Sequence, residues 1–132
     1  MKKTEYTLYF TNLPREVKLA VAADLHGDPH DRVLHIIKEE RPDMILIPGD
    51  LMDDTGLQNA HASGYTFLKE CASIAPTFYS LGNHEIACYH KGKLWSHPIP
   101  RPLDNDTVQR ILQSGVFFQD NEYIEHQGFN VC

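Results

Sequence analysis

Three short apolar segments separated by amphipathic stretches restrict this chain to a small set of folds. The segments are residues 17–23, 44–47 and 77–81. The first has the composition of a β-strand buried on both faces of a parallel sheet, the second indicates another buried strand, and the third indicates a third strand. The stretches between them repeat their apolar residues at helical spacing, so the predicted order is strand, helix, strand, helix, strand. Parallel strands joined by right-handed crossover helices form a layered α/β domain, and this is the fold class that we predict.

Proline, capping and spacing signals place the first two helices. Pro29 stands where a first helical residue would, with Asp28 as its expected N-cap, and this helix must end before the Arg41–Pro42 pair. Its apolar stripe consists of Val33, Leu34, Ile36 and Ile37. The apolar residues of the second helix are Leu68, Cys71, Ala72 and Ala75. We expect His30 and His35, on the first helix, to be solvated or to cap it.

Downstream of the third strand, the sequence predicts a long loop, one further helix and three further strands. Residues 88–103 contain one glycine and three prolines and are expected to form an irregular loop. The next helix is predicted to begin at Asp104 or Asn105, to end at Gly115 and to bury Val108, Ile111 and Leu112. The further strands are expected at residues 116–118, 123–125 and 129–131, and an edge strand at residues 5–10.

Length and charge exclude several functional classes. A chain of 132 residues suits one domain, which we assign to residues 1–132. Its 12 basic and 18 acidic side chains leave a net charge of −6, which opposes electrostatic binding of nucleic acid, so that nucleic acid is expected only as a substrate. No segment approaches the roughly 20 apolar residues of a membrane helix. Three cysteines without a metal-binding spacing indicate no disulfide framework, and the default expectation is a cytoplasmic protein.

Each of the three predicted strands is followed by a polar cluster with groups that bind metals. The clusters are Asp24-x-His26, Gly49-Asp50-x-x-Asp53 and Gly82-Asn83-His84-Glu85. Because the carboxyl ends of parallel strands lie along one edge of an open sheet, we expect the clusters to meet there. Their carboxylates, imidazoles and amide oxygen suit Mn²⁺, Fe²⁺, Zn²⁺ or Mg²⁺, and one carboxylate can bridge two ions. Taken singly, each cluster is also compatible with ordinary turn and helix-cap chemistry.

In their order and spacing, the three clusters resemble the motifs of the calcineurin-like metallophosphoesterases. That family's pattern is Asp-x-His, then Gly-Asp-x-x-Asp, then Gly-Asn-His followed by Glu or Asp, each after a β-strand. The resemblance implies a layered metallophosphoesterase-type sheet with crossover helices, two divalent metal ions, and hydrolysis of a phosphomonoester or phosphodiester. Two ions about 3.5–4 Å apart would activate a water and hold the phosphoryl oxygens.

The resemblance also implies a role for each matching residue. The residues that would bind metal are Asp24, His26, Asp50 and Asn83. The first two would hold one ion, Asp50 would bridge the pair, and the last would hold the second ion. His84 would be catalytic, stabilising the phosphoryl oxygens or protonating the leaving alkoxide, and Asp53 would orient His84 through a hydrogen bond. Glu85 is expected to play a supporting part.

The resemblance covers about half of a catalytic domain. The family completes its site downstream with a further His and a Gly-His-x-His segment, and nothing after Glu85 matches them. We therefore expect a truncated chain that represents only the N-terminal half of the domain. Such a piece is expected to expose strand edges and apolar surface, and so to dimerise, to pair with a complementary fragment, or to aggregate.

Two other functions compete with the phosphoesterase hypothesis. One is a non-catalytic protein of the same fold that serves as a protein-binding scaffold, which the missing downstream motifs favour. The intact positions up to His84 favour an enzyme. The other is a mononucleotide-binding α/β module, which is the weaker hypothesis because the chain lacks the glycine fingerprint of such proteins.

Overall fold

The structure is a computed structural model that describes residues 3–11, 13, 15–26, 29–52, 58–85, 89–90, 93–94, 105–119 and 122–132. The three helices of this part of the chain are α1 (Asp31–Glu40), α2 (Gln58–Ile74) and α3 (Asn105–Gln113). Its strands are β1 (Leu19–Val21), β2 (Met44–Ile47), β3 (Thr77–Ser80), β4 (Tyr89–His90), β5 (Lys93–Leu94), β6 (Phe117–Gln119), β7 (Ile124–His126) and β8 (Phe129–Val131).

The central sheet has four strands in the order β1-β2-β3-β6, and all neighbours are parallel. A helix connects each strand to the next in this order, as predicted for a layered α/β domain. Since all four strands point the same way, the loops after β1, β2 and β3 leave the sheet at the same edge. Two short antiparallel hairpins, β4-β5 and β7-β8, complete the described elements.

One face of the sheet is covered by the helices. Leu34 and Ile37 of α1, Phe67 and Leu68 of α2, and Ile111 of α3 are buried in one apolar cluster with strand residues of that face. The α1 stripe is therefore confirmed for Val33, Leu34 and Ile37. The helix ends at Glu40, and Arg41 is its left-handed C-cap (φ 48°), whose N–H donates to the Ile37 carbonyl at 3.2 Å.

The opposite face of the sheet is partly open, which corrects the expectation that the first apolar segment is buried on both sides. In β1, Leu19 and Val21 are 49% and 64% exposed, although their register partners Met44 and Leu46 are buried or half-buried. At the other edge, Phe78 stacks on Phe117 with ring centroids 4.9 Å apart, and His126 of the β7-β8 hairpin packs against both rings. The hairpin therefore covers the β3-β6 side of this face, and the β1 side carries exposed apolar residues.

Several local expectations differ from the structure. The first helix begins at Asp31, two residues after Pro29, with His30 at its N-cap position. His30 is only 6% exposed and packs against the Phe67 ring, so the expectation of a solvated side chain is wrong, whereas His35 is exposed beside Glu39 as expected. Residues 3–11 form no strand. Asp28 lies outside the described residues.

The downstream elements follow the prediction more closely. The third helix begins at Asn105, and β6, β7 and β8 lie within one residue of the predicted strands. Ile111 is buried as expected, but Leu112 is 48% exposed and does not belong to the core. The predicted loop of residues 88–103 contains the β4-β5 hairpin, and its other residues lie outside the described part of the chain. No described helix combines the length and hydrophobicity that a membrane span requires.

Candidate metal centre

The loops after β1, β2 and β3 bring three potential metal ligands together. One donor atom from each of His26, Asp50 and His84 lies within 4.8 Å of the other two, and all three side chains are half-buried. The imidazole rings of His26 and His84 meet edge to face, with centroids 4.2 Å apart. His26 and His84 are 58 positions apart in the sequence. The parallel sheet brings them to one edge, because the carboxyl ends of its strands lie there.

The other sequence-predicted site residues take different positions. The Asp24 carboxylate is 73% exposed and lies 3.9 Å from His26 Nε2, at the rim of the close group. Asn83 is exposed in the turn between β3 and His84. Asp53 lies outside the described residues, so its expected hydrogen bond to His84 stays a prediction.

The backbone at these strand ends adopts a conformation that side chains disfavour. Asp24, His26 and Asp50 have φ values of 55°, 46° and 51°, in the left-handed region. Such a residue costs on the order of 1–3 kcal/mol and persists only where the surrounding structure holds it. Three of the predicted metal ligands are therefore presented by strained backbone at adjacent strand ends, a pattern that is typical of functional sites.

Two glycines allow the loops after β2 and β3 to approach each other. A Cβ atom on Gly49 would overlap the backbone of Gly82, and a Cβ atom on Gly82 would overlap the carboxylate and backbone nitrogen of Asp50. Gly49 also has a φ of 105°, where other residues are strained. Glycine at both positions is thus required for Asp50 to lie beside the loop that carries His84.

Hydrogen bonds fix the three loops to one another. The His26 N–H donates to the Asp50 carbonyl at 3.0 Å, which joins the β1 and β2 loops. The His84 N–H donates to Asp50 Oδ1 at 2.9 Å, which joins the β2 and β3 loops. The Glu85 carboxylate accepts the N–H groups of Asp50, Leu51 and Met52 at 2.7–2.9 Å. The donor groups of His26, Asp50 and His84 are therefore held by direct contacts among the loops.

The sequence did not predict that Asp50 and Glu85 each accept backbone N–H groups from the other's loop. Glu85 was expected only to support the site, and its partners on the β2 loop could not be deduced from spacing. The available signal was the position of an acidic residue directly after His84, in a turn that must face the neighbouring strand end. We call this pair of reciprocal interactions the Asp50–Glu85 clasp.

The environment beneath the site is apolar. Burial raises the pKa of the Tyr79 phenol far above its usual value, and the negative charge of Glu85 acts in the same direction. Burial likewise raises the pKa of the Cys71 thiol to about 12, which makes it a core residue of α2 and not a thiolate ligand. Cys71 is therefore excluded as a candidate ligand, and the close group consists of two imidazoles and one carboxylate.

This donor set fits a divalent cation. Two imidazoles and a carboxylate are ligands of Zn²⁺, Mn²⁺ and Fe²⁺ in proteins. Within the described part of the chain, His26 Nδ1 is buried without a hydrogen-bond partner, which leaves this nitrogen available to a ligand. The Asp50 carboxylate uses one oxygen for the His84 N–H and retains acceptor capacity, because an ionised carboxylate offers about four lone-pair positions.

Comparison with known proteins agrees with the geometry. The chain is 28% identical over 137 aligned residues to an uncharacterized metallophosphoesterase of Helicobacter pylori, which covers 99% of this chain and 33% of that protein. It is 32% identical over 87 residues to an uncharacterized metallophosphoesterase of Campylobacter jejuni, which covers 60% of this chain and 22% of that protein. The alignments thus span a third or less of these curated relatives. The profile of the calcineurin-like phosphoesterases matches residues 17–130, and the chain belongs to this family.

Proposed function

We propose that this chain acts in the metal-dependent hydrolysis of a phosphomonoester or phosphodiester, through a site that holds two divalent ions. The observation that carries the proposal is the convergence of His26, Asp50 and His84 at the carboxyl edge of the sheet. Membership of the calcineurin-like phosphoesterases supports the reaction class. The donor set suits Mn²⁺, Fe²⁺, Zn²⁺ or Mg²⁺ as the ions.

The proposed roles combine the motif with the geometry. Asp24 and His26 would hold the first ion, Asn83 would hold the second, and Asp50 would serve both. This assignment agrees with the position of Asp50, whose main chain bonds to the loop of His26 and whose side chain bonds to the loop of His84. The side chains of Asp24 and Asn83 are exposed at the ends of their strands' loops, and both would take part in holding the ions.

His84 lies within the close donor group, but from its place in the motif we propose it as the catalytic residue and not as a metal ligand. Its ring lies against that of His26, and its N–H donates to Asp50 Oδ1, so the imidazole lies beside the proposed metal ligands. Bound ions supply Lewis acidity that lowers the pKa of a water from 15.7 to about 7. His84 donates a hydrogen bond to a phosphoryl oxygen or a proton to the leaving alkoxide. Asp53 orients the ring, as proposed from the motif.

Hydrolysis of p-nitrophenyl phosphate and its bis-ester by the full chain, with and without Mn²⁺, tests the proposal. We expect slow, metal-dependent hydrolysis that His84→Ala abolishes and that the matched exposed variant His35→Ala leaves unchanged. Hydrolysis that persists in His84→Ala or without metal would contradict the catalytic assignment. Activity that rises when the downstream portion of a relative is added would support the expectation that further ligands complete the site.

A second candidate function is that of a protein-binding scaffold, which has the same fold and site residues but does not catalyse hydrolysis. The exposed apolar residues Leu19 and Val21 on the open sheet face favour it. We also propose that this face associates with a second copy of the chain. The scaffold is distinguished from the enzyme by the absence of metal-dependent hydrolysis in a preparation that still associates through this face.

A further inference from the structure

The Glu85 carboxylate is surrounded by backbone donors. Its Oε1 accepts the N–H groups of Leu51 and Met52 at 2.7 and 2.9 Å. Its Oε2 accepts those of Asp50 and Gly82 at 2.9 and 2.7 Å. Each carboxylate oxygen therefore receives two N–H groups, and three of the four donors are consecutive residues of the β2 loop.

A carboxylate satisfies this arrangement and an amide does not. A carboxylate offers acceptors on both oxygens, whereas an amide presents an NH₂ group on one side that cannot accept. Consecutive N–H groups that follow a residue in the left-handed region form a concave anion-binding surface, and Asp50 has a φ of 51°. Glu85 occupies this surface as an internal anion. Hydrogen bonds to a charged acceptor are stronger than neutral ones, so the carboxylate holds the strained loop in place.

The orientation of Asp50 depends on these bonds. Glu85 fixes the N–H groups of Asp50 and of the two residues after it, and these peptide planes set the direction in which the Asp50 side chain leaves the backbone. Asp50 Oδ1 in turn accepts the His84 N–H. The clasp therefore sets the position of Asp50 relative to His84. Glu85 does so through bonds to backbone N–H groups.

We infer that Glu85 is a positioning residue, which holds the Asp50 carboxylate in its metal-binding orientation by filling the backbone anion site of the β2 loop. This inference rests on the proposed metal-dependent function and deepens it. The N–H groups of residues 50–52 already bind Glu85, so they are not available to the phosphoryl oxygens of the substrate.

The test compares Glu85→Gln and Glu85→Asp with wild type in the full chain, and uses Glu39→Gln on the exposed side of α1 as the matched control. Glu85→Gln keeps the side-chain shape and places an NH₂ group against two N–H donors. We expect at least tenfold weaker Mn²⁺ affinity by titration calorimetry, the range seen when groups that orient metal ligands are replaced. Glu85→Asp keeps the charge and should recover part of the affinity, and Glu39→Gln should match wild type.

Amide hydrogen exchange without metal gives an independent readout. In wild type, the amides of Leu51, Met52 and Gly82 should exchange slowly although they lie in loops, and Glu85→Gln should accelerate them at least tenfold. The amides of β2 should keep their wild-type exchange, which separates a local effect on the loop from general loss of stability. Unchanged Mn²⁺ affinity in a folded Glu85→Gln variant would overturn the positioning role.

The two proposals fail in different ways. If wild type binds no Mn²⁺, the proposed metal function fails, and the inference that rests on it fails as well, whatever the exchange data show about the hydrogen bonds. If wild type binds Mn²⁺ but its loop amides exchange rapidly, the function stands and the positioning role is overturned. If Glu85→Gln does not fold, the test uses Glu85→Asp together with the exchange pattern of wild type. Weaker Mn²⁺ binding by Glu85→Asp, with slow exchange of the loop amides in wild type, supports the positioning role. Mn²⁺ binding by Glu85→Asp that equals that of wild type overturns it.

Discussion

At the scale of single residues, the candidate metal centre is built on backbone geometry that few residue types tolerate. Asp50 stands in the left-handed region between Gly49, whose φ is also positive, and the N–H groups that bind Glu85. The aspartate tolerates this conformation because carbonyl, N–H and carboxylate all have partners in the adjacent loops. Strain at this position is thus offset by the same bonds that place the carboxylate beside His26 and His84.

Replacing Gly49 by alanine tests the close approach of the loops. Both Gly49 and Gly128 have positive φ, but a Cβ atom has open space at Gly128 and overlaps the Gly82 backbone at Gly49. We expect Gly128→Ala to lower the free energy of unfolding by about 1–2 kcal/mol through backbone strain alone. Gly49→Ala should cost about 2–5 kcal/mol, because overpacking adds to the strain. Urea denaturation measures both values, and equal losses would show that the loops do not need this contact.

At the scale of secondary-structure elements, the sequence predicted where each element begins and ends better than it predicted which of its residues are buried. The second apolar segment gave the bounds of β2 without error, because a proline and a glycine directly follow a run of large apolar residues. The exposed faces of β1 and α3 were not predictable from their own residues. Periodicity shows which side of an element is apolar, but the elements that pack against that side come from elsewhere in the chain.

The third helix shows this difference within two adjacent residues. Ile111 is buried against the α2 layer and Leu112 is half exposed, although the sequence predicted both as core. We expect Ile111→Ala to lower the free energy of unfolding by about 2–5 kcal/mol, as for other large-to-small core substitutions. Leu112→Ala should cost less than about 1 kcal/mol. Thermal or urea unfolding of the two variants checks the assignment, and a larger loss for Leu112→Ala would place α3 in a different rotation.

At the scale of the whole molecule, helices cover one face of the sheet among the described residues, and the β1 side of the other face is exposed. Parallel sheets are usually covered on both faces, and here Leu19 and Val21 of β1 are exposed. The N-terminal segment adds further exposed apolar side chains, among them Tyr6 and Tyr9.

Self-association through the open face is the expected outcome for the isolated chain. Val21→Lys introduces a charge into this face and should lower the association measured by sedimentation velocity over a concentration series. Leu112→Lys is the matched control, because it places the same charge at an exposed leucine on the helical layer and should leave association unchanged. A wild-type chain that sediments as a monomer at every concentration would contradict the proposal.

The candidate site could be predicted from sequence only as far as its framework. Three polar clusters after three parallel strands were sufficient to place His26, Asp50 and His84 at one edge, because the direction of the strands dictates where their ends lie. The bonds of Glu85 to the β2 loop depend on the distance between two neighbouring loops, and that distance is set by the Gly49–Gly82 contact. Such a contact follows from the folded backbone and has no periodic signature.

The measurement that tests the metal centre most directly is titration calorimetry of the full chain with Mn²⁺, comparing wild type, Asp50→Asn and the exposed control Asp31→Asn. Asparagine retains an oxygen that can accept the His84 N–H, so the substitution removes the charge while it keeps the loop contact. We predict weak binding by wild type with one ion held better than a second, unchanged binding by Asp31→Asn, and at least tenfold weaker binding by Asp50→Asn. Equal Mn²⁺ binding by wild type and Asp50→Asn would contradict the account.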